Sequence, residues 1–359
     1  MTVQERMFKL ETDLLANTIK HLSKGNFASA EWGAKRLAML GVVNQSNLDL
    51  VLKAEGDITP LLNAELTKAQ KATATGVNNL VSADLLSKSL PLSANPRMTE
   101  ILGVYERRAM GDISKTTPTM IRSLSQEYTG AIARATEQQI LDIQAGKLLS
   151  GESIQTSIAK TAKTFSRQGI TSLIDVSGKH WGIEGYSSLV VRSNTRQVST
   201  QTQLEKFNEY DIDLVEISSH LGARPLCEPY QGRIYSRSGD SKVFPPLSST
   251  SMGEIAGLFG INCGHRMYPY VEGTKRTNNP YPKKENAKVY KESQEQRKLE
   301  RSVRTSKRNI QLLNNAPDSL EKSKELRLNK SNLKIQRSEL KKFTRDTGRT
   351  LRADRLRIY

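Results

Sequence analysis

The chain is poor in the residues that carry most protein chemistry. Its 359 residues include two cysteines, four histidines and two tryptophans, and aromatic residues make up 6% of the total. Two cysteines exclude a dense disulfide framework. No stretch approaches the roughly 18 consecutive apolar residues of a membrane span. The opening MTVQERMFKLETDLL scatters charge where a signal peptide needs an unbroken apolar run, so the chain reads as soluble and made in the cytoplasm. Acidic residues are also in deficit, 37 against 54 Lys and Arg, and the resulting net charge of +17 biases the protein toward polyanions. The imbalance is local: residues 274–359 hold 25 basic and 10 acidic residues, net +15, which leaves +2 for the first 273. Apolar residues make up 36%, a modest core for such a length, so elongated helical parts are expected rather than one thick globule.

The chain divides by texture into three stretches. Residues 1–165 read as helical, most clearly where Ile121, Leu124, Tyr128, Ile132, Ala135 and Ile143 recur near helical spacing. Pro60, Pro91, Pro96 and Pro118 should separate several helices there. Residues 166–273 are richer in glycine and β-prone runs. QGITSLIDVSGKHWGI reads as a hairpin turning at Ser177-Gly178, a helix follows from Tyr186 to about Asn208, and IDLVEISSH and GRIYSRSG read as strands. Beyond Gly273, Pro280 and Pro282 suggest a hinge. Residues 274–359 then read as two basic helices divided at Asn314-Asn315-Ala316-Pro317. Leu326, Leu333, Leu340 and Phe343 form a packing stripe in the second, and a Glu300–Arg304 pair supports the first. The expected fold class is therefore α+β and mostly helical: a helical N-terminal region, a small α+β module and a basic helical hairpin.

Both cysteines and two of the four histidines cluster in the module, as His220-Leu-Gly-Ala-Arg-Pro-Leu-Cys227 and Cys263-Gly-His265. Residues two apart in an extended segment project to one side, so Cys263 and His265 could grip an ion from one edge. Gly222 and Pro225 would let the other arm turn so that His220 and Cys227 approach from across. Such a Cys2His2 set suits Zn²⁺, and a full tetrahedral sphere would staple the fold rather than activate water. Two other readings stay open: buried thiols beside hydrogen-bonded histidines, and a Cys227–Cys263 disulfide. Arg224 and Glu228 flank Cys227 and are candidates for a pair that orients the metal loop.

The stretches SSHLGARPLCEPYQGRIYSRSG, INCGHRMYPYVEG and NNPYPKKENAKVYKESQEQRKLERSVRTSKR, with GITSLIDVSGKHWGIEGYSSLVVRSNTRQ upstream, resemble the phage minor capsid protein 2 family, minor head proteins of phages of Gram-positive bacteria. The resemblance is clearest over about residues 168–309. His220, Cys263 and His265 match the family pattern, while Cys227 stands where His is usual. Cys and His can exchange at a zinc site without loss of ligation, which favours the metal reading. The family's aromatic after the Gly-Ile-Thr run is absent here, where the chain reads Ser172-Leu173-Ile174. The resemblance implies a structural protein of the virion head, acting near the portal in head assembly and DNA packaging, with the portal and other head proteins as partners.

In the basic tail, Arg297, Arg301, Arg304, Lys307, Arg308, Lys341, Lys342 and Arg345 are candidates for contact with packaged DNA or an acidic protein partner, without base-reading motifs. The competing class is a metal-dependent nuclease using Asn262 and His265, which would need an open metal position and a general base. An acyl transferase with Cys227 or Cys263 as nucleophile fits less well, because the two-residue spacing of Cys263 and His265 sets the side chains in parallel. His21 and His180 are isolated and read as ordinary packing or surface residues.

Overall fold

The computed structural model describes residues 1–29, 31–81, 90–145 and 152–358. Helix α1 (Val3–Leu22) begins in a capping box, with Thr2 Oγ1 accepting from Glu5 N at 3.1 Å and Glu5 Oε2 accepting from Thr2 N at 2.9 Å. A short α2 (Trp32–Ala38) leads into α3 (Leu40–Asn78), whose buried residues Val43, Asn47, Val51, Ala54, Ile58, Leu62, Leu66, Gln70, Ala74 and Val77 form one unbroken helical stripe. Helices α4 (Pro96–Ser114), α5 (Thr117–Gln144) and α6 (Glu152–Gln168) complete the N-terminal region. Pro96 and Pro118 open α4 and α5, and Pro91 precedes a short 3₁₀ turn, as punctuation predicts. Pro60 does not: it lies inside α3. Both Pro60 and Gly56, whose carbonyl it cannot satisfy, face solvent, where water can replace the missing bond while the buried stripe carries the helix on. In α5 the expected stripe is buried from Leu124 to Ala135, but Ile143 is exposed near the helix end.

The hairpin forms as read, with β1 (Thr171–Ile174) antiparallel to β2 (His180–Gly182). Asp175 organises its turn, accepting from Ser177 N, Ser177 Oγ, Lys179 N and Trp181 Nε1 at 2.6–3.0 Å. These four donors hold its carboxyl far below the usual carboxylate range. Helix α7 (Ile183–Glu209) follows, then a three-stranded antiparallel sheet of order β4-β3-β5, with β3 Leu214–Ile217, β4 Ile234–Ser236 and β5 Met267–Pro269. The basic tail is a hairpin of α8 (Lys283–Asn314) and α9 (Leu320–Asp346), divided where the sequence places the turn. Leu340 is buried in it, and Leu326 packs on the main core. The fold is thus mostly helical α+β with small antiparallel sheets.

Among the described residues two apolar cores organise the molecule. The larger joins α1, α3, α5 and α6 to Ile170, Ile183, Val190, Val191 and Val198, and to Leu312, Leu313 and Ala316 of the tail. The smaller gathers Phe207, Tyr210, Val215, Ile217, Tyr235, Leu258, Phe259 and Met267 around both cysteines, with Val77 of α3. Helices α3 and α7 therefore run from one core into the other, and Tyr210 Oη donates to Asn78 Oδ1 at 2.6 Å where they meet. The segment around Pro280 and Pro282 is strapped down rather than hinged. Glu216 accepts from Thr277 N, Thr277 Oγ1 and Asn278 N at 2.7–3.2 Å. Gly232, at φ +67°, lies so close to Asn279 and Pro280 that a Cβ would sit 2.6 Å from Pro280 N.

An ion network crosses the larger core. Arg308 of α8 pairs with Glu11 of α1 at 3.5 Å and with Glu184 of α7 at 2.9 Å, and Arg304 pairs with Glu184 at 2.8 Å. Arg304 therefore reaches across to α7, and the sequence-based Glu300–Arg304 pair is replaced: Glu300 accepts from Gln296 and Arg355 instead. Burial pushes the Glu11 carboxyl up, and Arg308 opposes that shift. Glu11 is 2% and Arg308 12% exposed, so removing the cation strands a buried carboxylate. Arg308→Met should lower stability by about 3–5 kcal/mol, read as a reduced urea midpoint at unchanged m-value, and adding Glu11→Gln should recover part of the loss.

Candidate metal centre

The strand register brings the cluster together. Glu216 opposes Tyr268 and Ile217 opposes Met267 in the β3–β5 pair, and the pairing continues with Ser218 N donating to Arg266 O at 2.9 Å. Carried two residues further, the same register sets His220 opposite Gly264, between Cys263 and His265. Gly264 is required there, since a Cβ at that position would lie 2.9 Å from His220 Nε2. Cys227 arrives from the loop that links β3 to β4, where its amide donates to Arg224 O at 2.9 Å just before the 3₁₀ turn Glu228–Tyr230.

The sulfurs of Cys227 and Cys263 are 3.8 Å apart and both thiols are free. Cys263 Sγ is 3.4 Å from His265 Nδ1. One ligand atom from each of Cys227, Cys263 and His265 lies within 4.8 Å of the others, and all three residues are buried. Ligands of a tetrahedral zinc with Zn–S about 2.3 Å and Zn–N about 2.0 Å lie about 3.3–3.8 Å apart, which the 3.8 Å sulfur pair and the 3.4 Å Cys263–His265 spacing match. His220 stands beside this trio rather than inside it. Its ring centroid is 4.4 Å from that of His265, and its Nδ1 is 3.3 Å from Leu221 O. In both histidines Nε2 is buried without a hydrogen-bond partner, a costly state for an imidazole unless a ligand supplies the missing contact. Three of the four sequence-predicted ligands, Cys227, Cys263 and His265, thus converge as a set whose chemistry suits zinc, and His220 lies next to them.

Electrostatics prepares the donors. Cys227 donates its S–H to Cys263, and with His265 this holds the Cys263 thiol well below the usual range, while the same bond and burial push Cys227 up. Burial, followed by the facing His265, lowers His220, favouring the neutral ring that a metal needs.

The supporting residues differ in part from those expected. Arg224 does lie at the cluster, with Nη2 3.7 Å from Cys227 Sγ and 3.3 Å from Gly257 O. Glu228 contributes only its amide, to Arg224 O at 2.8 Å, and among the described residues no ion pair joins the two. The side chains that hold the loops come from elsewhere. Arg196 of α7 donates twice to Cys263 O, at 2.9 and 2.7 Å, Gln197 donates to Phe259 O and Gln203 to Met267 O. Asn286 of α8 bonds both Ala223 N and Ala223 O at 2.8 Å, tying the His220–Cys227 loop to the tail. Composition gave no sign of these roles; Arg196, Gln197 and Asn286 lie inside the family-like stretches, and Gln203 lies outside them. Asn262 adopts a left-handed φ of +59° in the turn before Cys263. Of the tail residues, Arg297, Arg301, Lys341, Lys342 and Arg345 are exposed, whereas Arg304, Lys307 and Arg308 are partly buried and bonded internally. A groove of about 1080 Å³ opens between α4, α7 and the Gly253–Ile261 loop, and none of the four candidate ligands lines it.

These features describe a buried soft-ligand cluster of Cys227, Cys263 and His265 with His220 beside it, held by loops on a small sheet, in a chain without a membrane-crossing helix among its described residues. The phage minor capsid protein 2 family profile matches residues 7–345, and the chain belongs to that family. A protein named "Structural protein" from Lactococcus phage LL-H is 26% identical over 311 residues, covering 84% of this chain and 83% of that one. No solved structure matches the chain. Membership places the protein among structural components of the virion, with other head proteins as neighbours.

The contact between Gly264 and His220 gives a direct test. Gly264→Ala should destabilise by about 1–3 kcal/mol by forcing the ring aside. Gly111→Ala, in open space on helix α4, should be neutral or stabilising by up to about 1 kcal/mol, and thermal unfolding of both variants checks the contrast.

Proposed function

We propose that the protein is a non-enzymatic minor component of the phage head that acts near the portal during head assembly and DNA packaging. In this reading a zinc ion bound by His220, Cys227, Cys263 and His265 staples the β3–β5 module, the N-terminal helices dock to portal or capsid, and the basic hairpin faces DNA or a protein partner. The observation that carries the staple is the pair of sulfurs 3.8 Å apart beside the buried His265 and the half-buried His220, whose Nε2 atoms are buried without hydrogen-bond partners. Bound there, zinc would take all four donors and leave no position for a water nucleophile, so its contribution would be to folding free energy. The same point weighs against a packaging nuclease: His265 lies among the ligands, and Asn262 serves a backbone turn.

Metal analysis of the purified chain should give about one zinc per chain, falling to under about one-tenth in Cys263→Ser with a lower Tm. Plasmid DNA should remain uncut with added Mg²⁺ or Mn²⁺. Metal-dependent nicking lost in His265→Ala would replace this reading with the nuclease. Antibody or mass-spectrometric detection in purified heads, with cross-links to the portal, tests the location; absence from heads overturns it.

A further inference from the structure

The segment that leads into α4 meets the C-terminal end of α7 around one carboxylate. Glu209 Oε2 accepts from Lys206 Nζ at 2.6 Å, and Glu209 Oε1 accepts from Asn95 Nδ2 at 2.6 Å. The amine and the amide thus stand against the two oxygens of a single carboxyl group, although they lie 111 residues apart in the chain. Lys206 is 1% exposed, Asn95 4% and the Glu209 side chain 8%. Leu90 clamps the same group, its carbonyl accepting from Lys206 Nζ at 3.0 Å and its amide donating to Glu209 Oε2 at 3.3 Å. A second carboxylate, Glu205, accepts from Asn95 Nδ2 at 3.4 Å.

Each part of this arrangement has a local cause, and together the parts exceed what packing needs. Asn95 is the N-cap of α4: its Oδ1 accepts from Arg97 N at 2.9 Å, and Pro96 opens the helix. Lys206 and Glu209 are three apart on α7 and so share a face. Thr202 and Tyr210, one turn to either side of Lys206, are buried with it. A cap requires only Asn95 and the Arg97 amide. Burying an amine and a carboxyl beside it costs desolvation that an apolar pair of similar volume avoids. The set matches instead what amide transfer demands: a nucleophile, a carbonyl carbon, a group that carries the proton between them, and a donor for the oxyanion.

From this geometry we infer that Lys206 and Asn95 are joined by an intramolecular isopeptide bond that the folded chain forms on itself. Glu209 takes a proton from the Lys206 ammonium across their 2.6 Å bond, and the freed amine attacks Asn95 Cγ. Charge developing on Asn95 Oδ1 is met by the Arg97 amide, at the positive end of α4. Glu209 passes its proton to Asn95 Nδ2, the Cγ–Nδ2 bond breaks as the Nζ–Cγ bond is completed, and the ammonia that leaves takes the second proton shed by Nζ. The balance is closed: an ammonium and a primary amide give a secondary amide and an ammonium ion. Burial of all three side chains keeps water, the competing nucleophile, away from Asn95. The bond closes a loop from the start of α4 to the end of α7, constraining the unfolded chain as a disulfide does but through groups that reduction leaves intact. It stands independently of the metal site and of the location proposed above.

Mass spectrometry of the full chain tests the bond, on protein purified in its folded state, held overnight at about 37 °C, then reduced and denatured. The expected intact mass is about 17 Da below that of the sequence, the loss of one ammonia. A tryptic digest should join residues 89–97 to residues 197–233, with no cleavage after Lys206. Glu209→Gln and Lys206→Arg, each checked for an unchanged helical circular dichroism spectrum, should keep their full sequence masses and yield the two peptides separately. An unshifted mass in the unaltered chain overturns the proposal whatever the variants do. A gain of about 1 Da, from attack of water on Asn95, overturns it as well. So does a loss of ammonia that persists in Lys206→Arg, while a joined peptide that persists in Glu209→Gln removes the carboxyl from the step and overturns the mechanism.

Discussion

The antiparallel pairing of β3 with β5 is the constraint on which the candidate site depends. Three paired positions and one bond beyond them bring His220 against Gly264, although the two lie 44 residues apart in the chain. A slip of one residue would turn Cys263 and His265 to the other face and leave two thiols and two imidazoles buried without partners. The close approach at Gly264 closes the same register from the side-chain direction, since it leaves no room for a Cβ.

Helix α7 connects that small site to the rest of the molecule. Its apolar residues from Ile183 to Val198 belong to the larger core and Phe207 to the smaller. Its polar residues Arg196, Gln197 and Gln203 take backbone carbonyls of the loops that carry Cys263 and β5. A loop so rich in glycine has little side-chain surface to bury, and hydrogen bonds from a rigid neighbour supply the order that packing cannot. The tail takes part as well: Asn286 holds the His220–Cys227 loop, and Arg304 and Arg308 join α8 to Glu184, with Arg308 reaching Glu11. Loosening the cluster would therefore be felt in the tail, and the reverse.

The proposed zinc adds folding free energy to a module whose apolar core is small. The two basic helices are anchored in the larger core through Leu312, Leu313 and Ala316, with Leu326 packed against it.

Local and periodic features were legible in the residues themselves: the helical N-terminal region, the Ser177-Gly178 hairpin, the strands around Val215 and Tyr235, the division of the tail near Asn315, and the approach of Cys227, Cys263 and His265 to one another. Hydrophobic spacing, turn chemistry and rare ligand-type side chains are written along the chain and need no knowledge of distant contacts. The tertiary structure alone decided the rest. It kept Pro60 inside a helix, strapped the Pro280 segment down through Glu216, and sent Arg304 to Glu184 instead of Glu300. It assigned the loop-holding roles to Arg196 and Asn286. Each of these turns on which polar group a fold brings within reach of another, and a charge or amide pairs with the nearest partner in space, which sequence spacing reveals only within a helical turn or a hairpin.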